Sequence, residues 1–157
     1  MALHQSKRGL ELPLAGAPAA VLEAARAVTR VALLGADGVG LKPGVRVAVG
    51  DAVRRGQALI EDKSRPGLVY TAPAAGRVAA IHRGERRAFV SLVIEVGEED
   101  AGADAQVEFA SWRGVPSAQL DAAGMRALLL ESGLWACLRQ RPFGVVPPVD
   151  ATPGPVF

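Results

Sequence analysis

The fold of this 157-residue chain is decided by the stretch Gly50-Asp51-Ala52-Val53-Arg54-Arg55-Gly56-Gln57-Ala58-Leu59-Ile60, which is followed after ten residues by Thr71-Ala72-Pro73-Ala74-Ala75-Gly76-Arg77-Val78. Gly50 and Gly56 are six residues apart, and each adjoins a charged residue, as is typical of tight turns. Glycine suits such turns because it adopts positive φ without a steric penalty. The two stretches therefore predict short strands joined by tight turns.

Further strand signals flank these turns. The hairpin loop Lys63-Ser64-Arg65-Pro66-Gly67 separates two apolar runs and consists of residues that favour turn dihedrals. Residues 88–96 are apolar on both faces, which is typical of an inner strand. The other predicted strands are an edge strand at 10–14, residues 31–34, the alternating Val45, Val47 and Val49, and residues 58–60, 68–70 and 77–82.

Helical signals are fewer. Residues 19–28 are rich in alanine and predict a helix by propensity. A second helix is predicted to begin at Ser117 as N-cap and to end at Gly133, because Leu120, Met125, Leu128 and Leu129 recur at helical spacing. A third, short helix is predicted at 134–139. The fold class is thus α+β, mainly β, with a barrel-like region before a small helical segment.

The composition excludes several classes of protein. Half of the residues are apolar and the net charge is +2, so nothing in the charge balance calls for a polyanionic partner. The arginine clusters Arg54-Arg55 and Arg83 to Arg87 lack interleaved aromatic residues and indicate solvated turns, so no nucleic-acid partner is expected. No apolar stretch approaches the roughly 20 residues that span a bilayer.

Candidate catalytic and metal-binding residues are scarce. Cys137 is the one cysteine, and His4 and His82 are the two histidines, so a thiolate-held redox centre or a structural zinc site is excluded. The apolar neighbours of Cys137 predict an inert core thiol. His82 ends a predicted strand and is interpreted as a half-exposed turn residue. The cluster Gly35-Ala36-Asp37-Gly38-Val39-Gly40 has the order G-x-x-G-x-G, which favours a plain turn over a dinucleotide loop.

The glycine-turn segment resembles the biotinyl/lipoyl carrier fold, in which two turn-and-strand halves pack as a flattened barrel and a hairpin tip presents a modified lysine. Lys63 is the lysine available, but it lies four residues beyond Leu59, whereas carriers place theirs about seven residues beyond the equivalent apolar position. We therefore expect Lys63 to remain unmodified. A carrier domain is the alternative interpretation.

Several motifs follow one another along the whole chain. They are Lys7-Arg-Gly-Leu-Glu-Leu-Pro13, Gly16-Ala-Pro18, Val31-Ala-Leu-Leu-Gly35, Val49-Gly-Asp-Ala-Val53, Ile60-Glu-Asp-Lys63, Ile81-His-Arg-Gly-Glu-Arg-Arg87, Val93-Ile-Glu-Val96, Glu131-Ser-Gly-Leu-Trp135 and Arg139-Gln-Arg-Pro-Phe143. In this order they resemble the family formed by the A subunit of the sodium-translocating NADH:quinone reductase. Members of that family are much longer, so the chain resembles an N-terminal portion.

The resemblance implies a non-catalytic, peripheral subunit on the cytoplasmic side of a bacterial inner membrane. Its partners would be the other subunits, especially a membrane-embedded one, which would carry the flavins, the iron-sulfur centre and the sodium path. Quinone is a possible bound substrate, and no cofactor is expected in this chain. The similar flavin-binding subunit of respiratory complex I has a glycine-rich phosphate loop after its Ser-Gly-Leu, whereas residues 134–142 here contain no glycine. Side chains at every position would prevent close approach of a flavin phosphate.

These considerations predict one candidate surface and four regions. The surface, for quinone or a partner subunit, is expected at residues 34–41 and 139–147, where apolar side chains and two arginines occur near turns. Its candidate residues are Leu34, Gly35, Val39, Leu41, Arg139, Arg141 and Phe143. The predicted regions are a barrel-sandwich region at 1–97, an acidic connection at 98–116, a helical segment at 117–143 and a proline-rich linker at 144–157 that leads to a missing domain.

Overall fold

The computed structural model describes Gly16 and residues 19–152. The regular secondary structure of the described chain is mainly strand, with one α-helix and several 3-10 turns. The strands are β1 (Arg30–Leu34), β2 (Pro43–Val45), β3 (Ala52–Val53), β4 (Ala58–Asp62), β5 (Val69–Thr71), β6 (Gly76–Arg83) and β7 (Phe89–Val96), and the helix is α1 (Ala122–Glu131). The predicted edge strand at 10–14 lies outside the described residues.

The strands form two antiparallel sheets. The first sheet has the order β1-β7-β6-β3, and the second has the order β2-β4-β5. Between them lies the first core, formed by the buried residues Val53, Leu59, Ile60, Ala72, Val78, Leu92 and Ile94. This arrangement confirms the predicted barrel-sandwich architecture, because each short strand buries one face in a shared core.

Strand β7 is an inner strand, as its apolar faces predicted. Its register with β6 shifts between His82 and Arg83, so that Val90 has no partner residue in the ladder. A bulge of this kind turns side chains away from their regular alternation. Val90 is accordingly 48% exposed, although Leu92 and Ile94 are fully buried.

The β4–β5 hairpin also contributes to a second core. Leu68, at the end of the hairpin loop, is fully buried against Trp135, Ala136 and Val146. The Trp135 Nε1 donates to the carbonyl of Pro147 at 3.1 Å. These contacts attach the C-terminal segment, including residues 145–149 of the predicted linker, to the barrel region.

Helix α1 begins later than predicted. Its N-cap is Asp121, whose Oδ1 accepts a hydrogen bond of 2.7 Å from the backbone N–H of Gly124. Ser117 instead starts a 3-10 turn, Ser117–Gln119, without a side-chain cap. Gly133 confirms the predicted helix end, because its φ of +78° is left-handed and its N–H donates to the carbonyl of Leu130 at 3.2 Å.

Two other predictions of secondary structure were wrong. Residues 19–28 form no helix and are exposed throughout, so no packing supports a segment too short to be helical on its own. The predicted strand through Val45, Val47 and Val49 ends at Val45. Residues 46–51 cross from the second sheet, where β2 pairs with β4, to the first, where β3 pairs with β6, so they cannot continue one ladder.

The acidic connection, residues 98–116, is hydrogen-bonded to the barrel region. The Asp100 carboxylate accepts hydrogen bonds from the backbone N–H of Ala75 at 2.6 Å and from Nη2 of Arg55 at 2.9 Å. These bonds hold the pKa of Asp100 below its usual value. Ala105 is buried, so the connection is partly packed rather than exposed throughout.

Candidate functional site

The first predicted site segment, residues 34–41, leaves the end of β1 through the 3-10 turn Gly35–Asp37. A Cβ at Gly35 would clash with the carbonyl oxygen of Phe89 in β7. A Cβ at Gly38 would lie 2.9 Å from the Cβ of Leu41. Both glycines therefore allow the loop to pack closely on itself and on the sheet, in keeping with the plain-turn interpretation.

The second segment, residues 139–147, follows the 3-10 turn Leu134–Cys137. The backbone N–H of Gln140 donates to the carbonyl of Val145 at 2.7 Å, and that of Gly144 donates to the carbonyl of Gln140 at 2.9 Å. These bonds close a small loop with Phe143 at its end. Phe143 is 82% exposed, which is unusual for a large apolar side chain held in an ordered turn.

The fold brings the two segments together. Nη2 of Arg139 donates to the carbonyl of Asp37 at 2.9 Å. Arg65, in the β4–β5 hairpin, connects the same two segments, because its guanidinium donates to the carbonyls of Val39 at 3.3 Å and Val146 at 3.1 Å. Segments about one hundred residues apart in the chain thus form one surface.

The predicted site residues differ in their surroundings. Leu34 is 48% exposed and Val39 is 46% exposed, and together with Phe143 they present apolar area to solvent. Leu41 is half-buried and packs against the first core. The exposed side chain of Arg141 forms no hydrogen bond or ion pair with the residues that the structure describes, whereas Arg139 is engaged by backbone carbonyls.

Sequence reasoning missed the role of Asp62 and Arg65, which organise this region. The Asp62 side chain is completely buried, and its carboxylate accepts from Ser64 N–H at 2.9 Å, Ser64 Oγ at 2.6 Å and Arg65 Nε at 2.7 Å. Burial raises the pKa of Asp62, but the hydrogen bonds from Ser64, Arg65 and the backbone of Lys42 outweigh it and hold the pKa below its usual value. An Asp two positions before a Ser in a hairpin loop is a recognisable turn signal.

Tyr70 was also missed. It packs against both cores, and its hydroxyl is buried without a hydrogen-bond partner among residues 19–152. Burial raises the pKa of the Tyr70 phenol, because the charged form is poorly solvated there. Its Oη lies 3.1 Å from the position that a Cβ of Gly38 would occupy, so Tyr70 lies directly beneath the first site segment.

The remaining candidates lie elsewhere. Lys63 is an exposed residue of the hairpin loop, and its aliphatic chain lies along Gly44 of β2. The prediction that Cys137 is a core residue was wrong, since Cys137 is exposed. In the 3-10 turn, Leu134 and Cys137 are three residues apart and share the outer face, while Trp135 and Ala136 are buried. His82 is exposed on β6.

Neither a metal centre nor a membrane span is present in the part of the chain that the structure describes. No group of three or more His, Cys, Asp or Glu side chains in it is placed to hold a metal ion. Within the same residues, no helix has the length and apolar character needed to cross a membrane.

Comparison with known families agrees with this architecture. Residues 5–97 match the family described as the NqrA N-terminal barrel-sandwich hybrid domain, and residues 120–157 match the NqrA second alpha/beta domain. The chain therefore belongs to the NqrA family of barrel-sandwich proteins. The second match begins one residue before the N-cap of α1.

Three relatives illustrate the similarity. The chain is 50% identical over 151 residues to the A subunit of the Na(+)-translocating NADH-quinone reductase of Pseudomonas aeruginosa and 47% identical to that of Neisseria meningitidis. It is 45% identical to the same subunit of Actinobacillus pleuropneumoniae. Each alignment covers 96% of this chain and 32 or 33% of the relative. The chain thus spans about a third of the length of the relatives it matches.

Proposed function

We propose that this chain is the N-terminal part of a peripheral subunit of a sodium-pumping NADH:quinone oxidoreductase and that it supplies a binding surface. The observation that carries the proposal is the hydrogen bond from Arg139 to the carbonyl of Asp37, because it joins the two apolar site segments into one surface. The relatives are named as the A subunit of a Na(+)-translocating NADH-quinone reductase, and these names support the proposal that this chain belongs to such a complex. The subunit would lie on the cytoplasmic side of the bacterial inner membrane.

Among the described residues, the surface has an apolar centre and an available cation, Arg141. Leu34, Val39 and Phe143 offer exposed apolar area, and an aromatic side chain beside an arginine is a combination enriched at interface hot spots. Arg141 has five donors that no described residue satisfies, so it suits a partner carboxylate or a quinone carbonyl. We propose that a membrane-embedded partner subunit is the principal contact and that quinone is a possible bound substrate.

Arg139 has a different role in this proposal from the one that the sequence suggested. Its guanidinium donates to the carbonyls of Ala136, Leu138 and Asp37. A guanidinium whose donors are engaged in this way has little capacity for a ligand. Arg139 is therefore a positioning residue that holds the two segments together, and Arg141 is the contact residue.

We further propose that this chain carries out no redox chemistry itself and that flavins and iron-sulfur centres belong to partner subunits. Two of the three glycines of the first segment support this, because the spaces beside Gly35 and Gly38 are filled by Phe89, Leu41 and Tyr70, so neither glycine offers a backbone cradle for a phosphate. NADH oxidation would then occur elsewhere in the complex.

The alternative function, a biotinyl or lipoyl carrier, is favoured by one observation, the exposure of Lys63. Against it, the hairpin that would project a modified lysine is docked, since Leu68 is fully buried and Arg65 is bonded to the carbonyl of Val146. The intact mass of protein from the source organism separates the two functions. We expect no biotinyl or lipoyl adduct on Lys63, and such an adduct would establish the carrier function.

The proposed surface is tested in the full-length subunit with the double substitution Phe143→Ala and Arg141→Gln. We expect impaired assembly with the membrane subunits and reduced quinone reductase activity. The matched control is Trp112→Ala with Arg113→Gln, an exposed aromatic and arginine pair outside the surface. If assembly and activity of the Phe143 variant equal those of the control in a normally folded protein, the surface has only a structural role.

A further inference from the structure

The tip of the β6–β7 hairpin is a basic, exposed feature of the barrel region. Arg83, Arg86 and Arg87 are all exposed there, and Glu85 is the acid among them. None of the three guanidinium groups forms an ion pair with any residue that the structure describes. Other arginines of the barrel, such as Arg46 and Arg55, do pair with carboxylates. The tip therefore has unpaired positive charge.

The backbone at the tip adopts a conformation that its residues do not favour. Arg86 has φ 52° and ψ 29°, and Arg87 has φ 61°. Left-handed backbone is sterically unfavourable for residues with a Cβ, and glycine or asparagine normally occupies such positions. Two consecutive arginines in this conformation indicate that positive charge at the tip has a use other than forming the turn.

Apolar side chains lie at the same end of the sheet. Leu34 pairs with Ser91 at the end of β1, and Gly35 packs against Phe89 at the start of β7. Val90 is 48% exposed and lies 3.2 Å from the Cβ position of Gly84 in the tip. The arginine tip therefore borders Val90, and Leu34 lies at the same end of the sheet on the neighbouring strand β1, so a basic group and exposed apolar residues occur at one end of the sheet.

We propose that this end of the first sheet, the arginine tip with Leu34 and Val90, docks onto anionic phospholipid headgroups. The inference rests on the proposed function, because a peripheral subunit of a membrane complex lies close to the bilayer. Guanidinium groups bind phosphate through paired hydrogen bonds, and apolar side chains beside them enter the boundary between headgroups and acyl chains. The surface would orient the barrel region so that the first site segment, which begins at Leu34, faces the membrane.

The experiment measures co-sedimentation of the 157-residue chain with vesicles. One set contains phosphatidylcholine alone, and the other contains phosphatidylcholine with one third phosphatidylglycerol. The test variant is Arg83→Gln, Arg86→Gln, Arg87→Gln. The matched control is Arg26→Gln, Arg54→Gln, Arg113→Gln, which removes the same charge from exposed arginines elsewhere. Circular dichroism verifies that each variant is folded.

We expect binding to the anionic vesicles only, with an affinity that falls steeply as salt is added. A basic residue close to an anionic surface contributes about fivefold in affinity, so the tip variant should bind on the order of 100-fold more weakly. The control variant should lose much less affinity for the anionic vesicles. Equal losses in both variants, or no binding of the unsubstituted chain, would overturn the proposal.

A protein partner for the tip would give a different pattern. If the chain does not bind anionic vesicles but the tip variant of the full-length subunit fails to assemble into its complex, the tip binds an acidic protein surface and the lipid proposal is wrong. Vesicle binding requires no partner subunit. A negative vesicle result therefore does not contradict the proposed contact at Phe143. A negative assembly result for Phe143 likewise does not contradict the vesicle result.

Discussion

Nη2 of Arg139 lies 2.9 Å from the backbone carbonyl oxygen of Asp37, a residue 102 positions earlier in the chain. This hydrogen bond joins the loop after β1 to the segment that carries Phe143. The same guanidinium also donates to the carbonyls of Ala136 and Leu138. One side chain thus positions both halves of the candidate surface.

The substitution Arg139→Ala should loosen this surface. Loss of the hydrogen bonds is expected to lower the free energy of unfolding by about 1–2 kcal/mol, since each contributes modestly at a partly exposed site. Amide hydrogen exchange in residues 34–41 should become faster. The control Arg141→Ala should change stability by less than about 0.5 kcal/mol. Unchanged exchange in the Arg139 variant would show that Arg65 alone holds the segments together.

Asp62 should make stability depend on pH in the acid range. Its pKa is lower in the folded protein than in the unfolded chain, so its contribution is present above the unfolded pKa and is lost as pH falls through the folded pKa. Asp62→Asn should cost about 3 kcal/mol at neutral pH, and the difference from the unsubstituted protein should shrink in acid. Urea unfolding at several pH values measures this. Asp104→Asn, at an exposed position, provides the comparison, and a pH-independent difference for Asp62→Asn would contradict the assignment.

Tyr70→Phe should leave stability unchanged or raise it by up to about 1 kcal/mol, because it removes a buried hydroxyl that lacks a partner among the described residues. The neighbouring hydroxyl offers a contrast. Thr71 Oγ1 donates to the carbonyl of Ser132 at 2.9 Å, so Thr71→Val should be destabilising by about 1 kcal/mol. Thermal unfolding of both variants distinguishes them. A clear loss of stability in Tyr70→Phe would mean that the hydroxyl is bonded.

Cys137 should react readily with a thiol reagent in the native protein, because it lies on the outer face of its 3-10 turn. The measurement is the rate of reaction with Ellman's reagent in buffer and in denaturant. We expect the native rate to approach the denatured rate. Strong protection in buffer would restore the original prediction of a core thiol.

The purified chain should be colourless and should bind neither flavin nor NADH. Gly35 and Gly38 are used for packing, and residues 134–142 offer no glycine for a phosphate loop. Isothermal titration calorimetry with each ligand is the test, with a known flavoprotein as positive control. Saturable binding with micromolar affinity would refute the proposal that this chain is free of redox cofactors.

Local patterns were sufficient to predict much of the barrel. Three features depend on turn chemistry and on the alternation of side chains, which can be read from residues adjacent in the sequence. They are the turn at 63–67, the strands from β4 to β7 and the helix end at Gly133. The predicted helix at 19–28 failed because propensity without a packed face does not stabilise ten residues. The predicted N-cap Ser117 was wrong because Asp121, another favourable capping residue four positions later, caps the helix.

The sequence by itself determined the family and the barrel-sandwich class, and it predicted the two segments of the proposed surface, because motif order, glycine turns and apolar runs are properties of side chains along the chain. Only the tertiary structure decided that the segments meet and which arginine is engaged. Arg139 and Arg65 bond to the backbone carbonyls of Asp37, Val39 and Val146. Every residue carries such a carbonyl, so no side-chain pattern indicates which one an arginine will reach until the chain is folded.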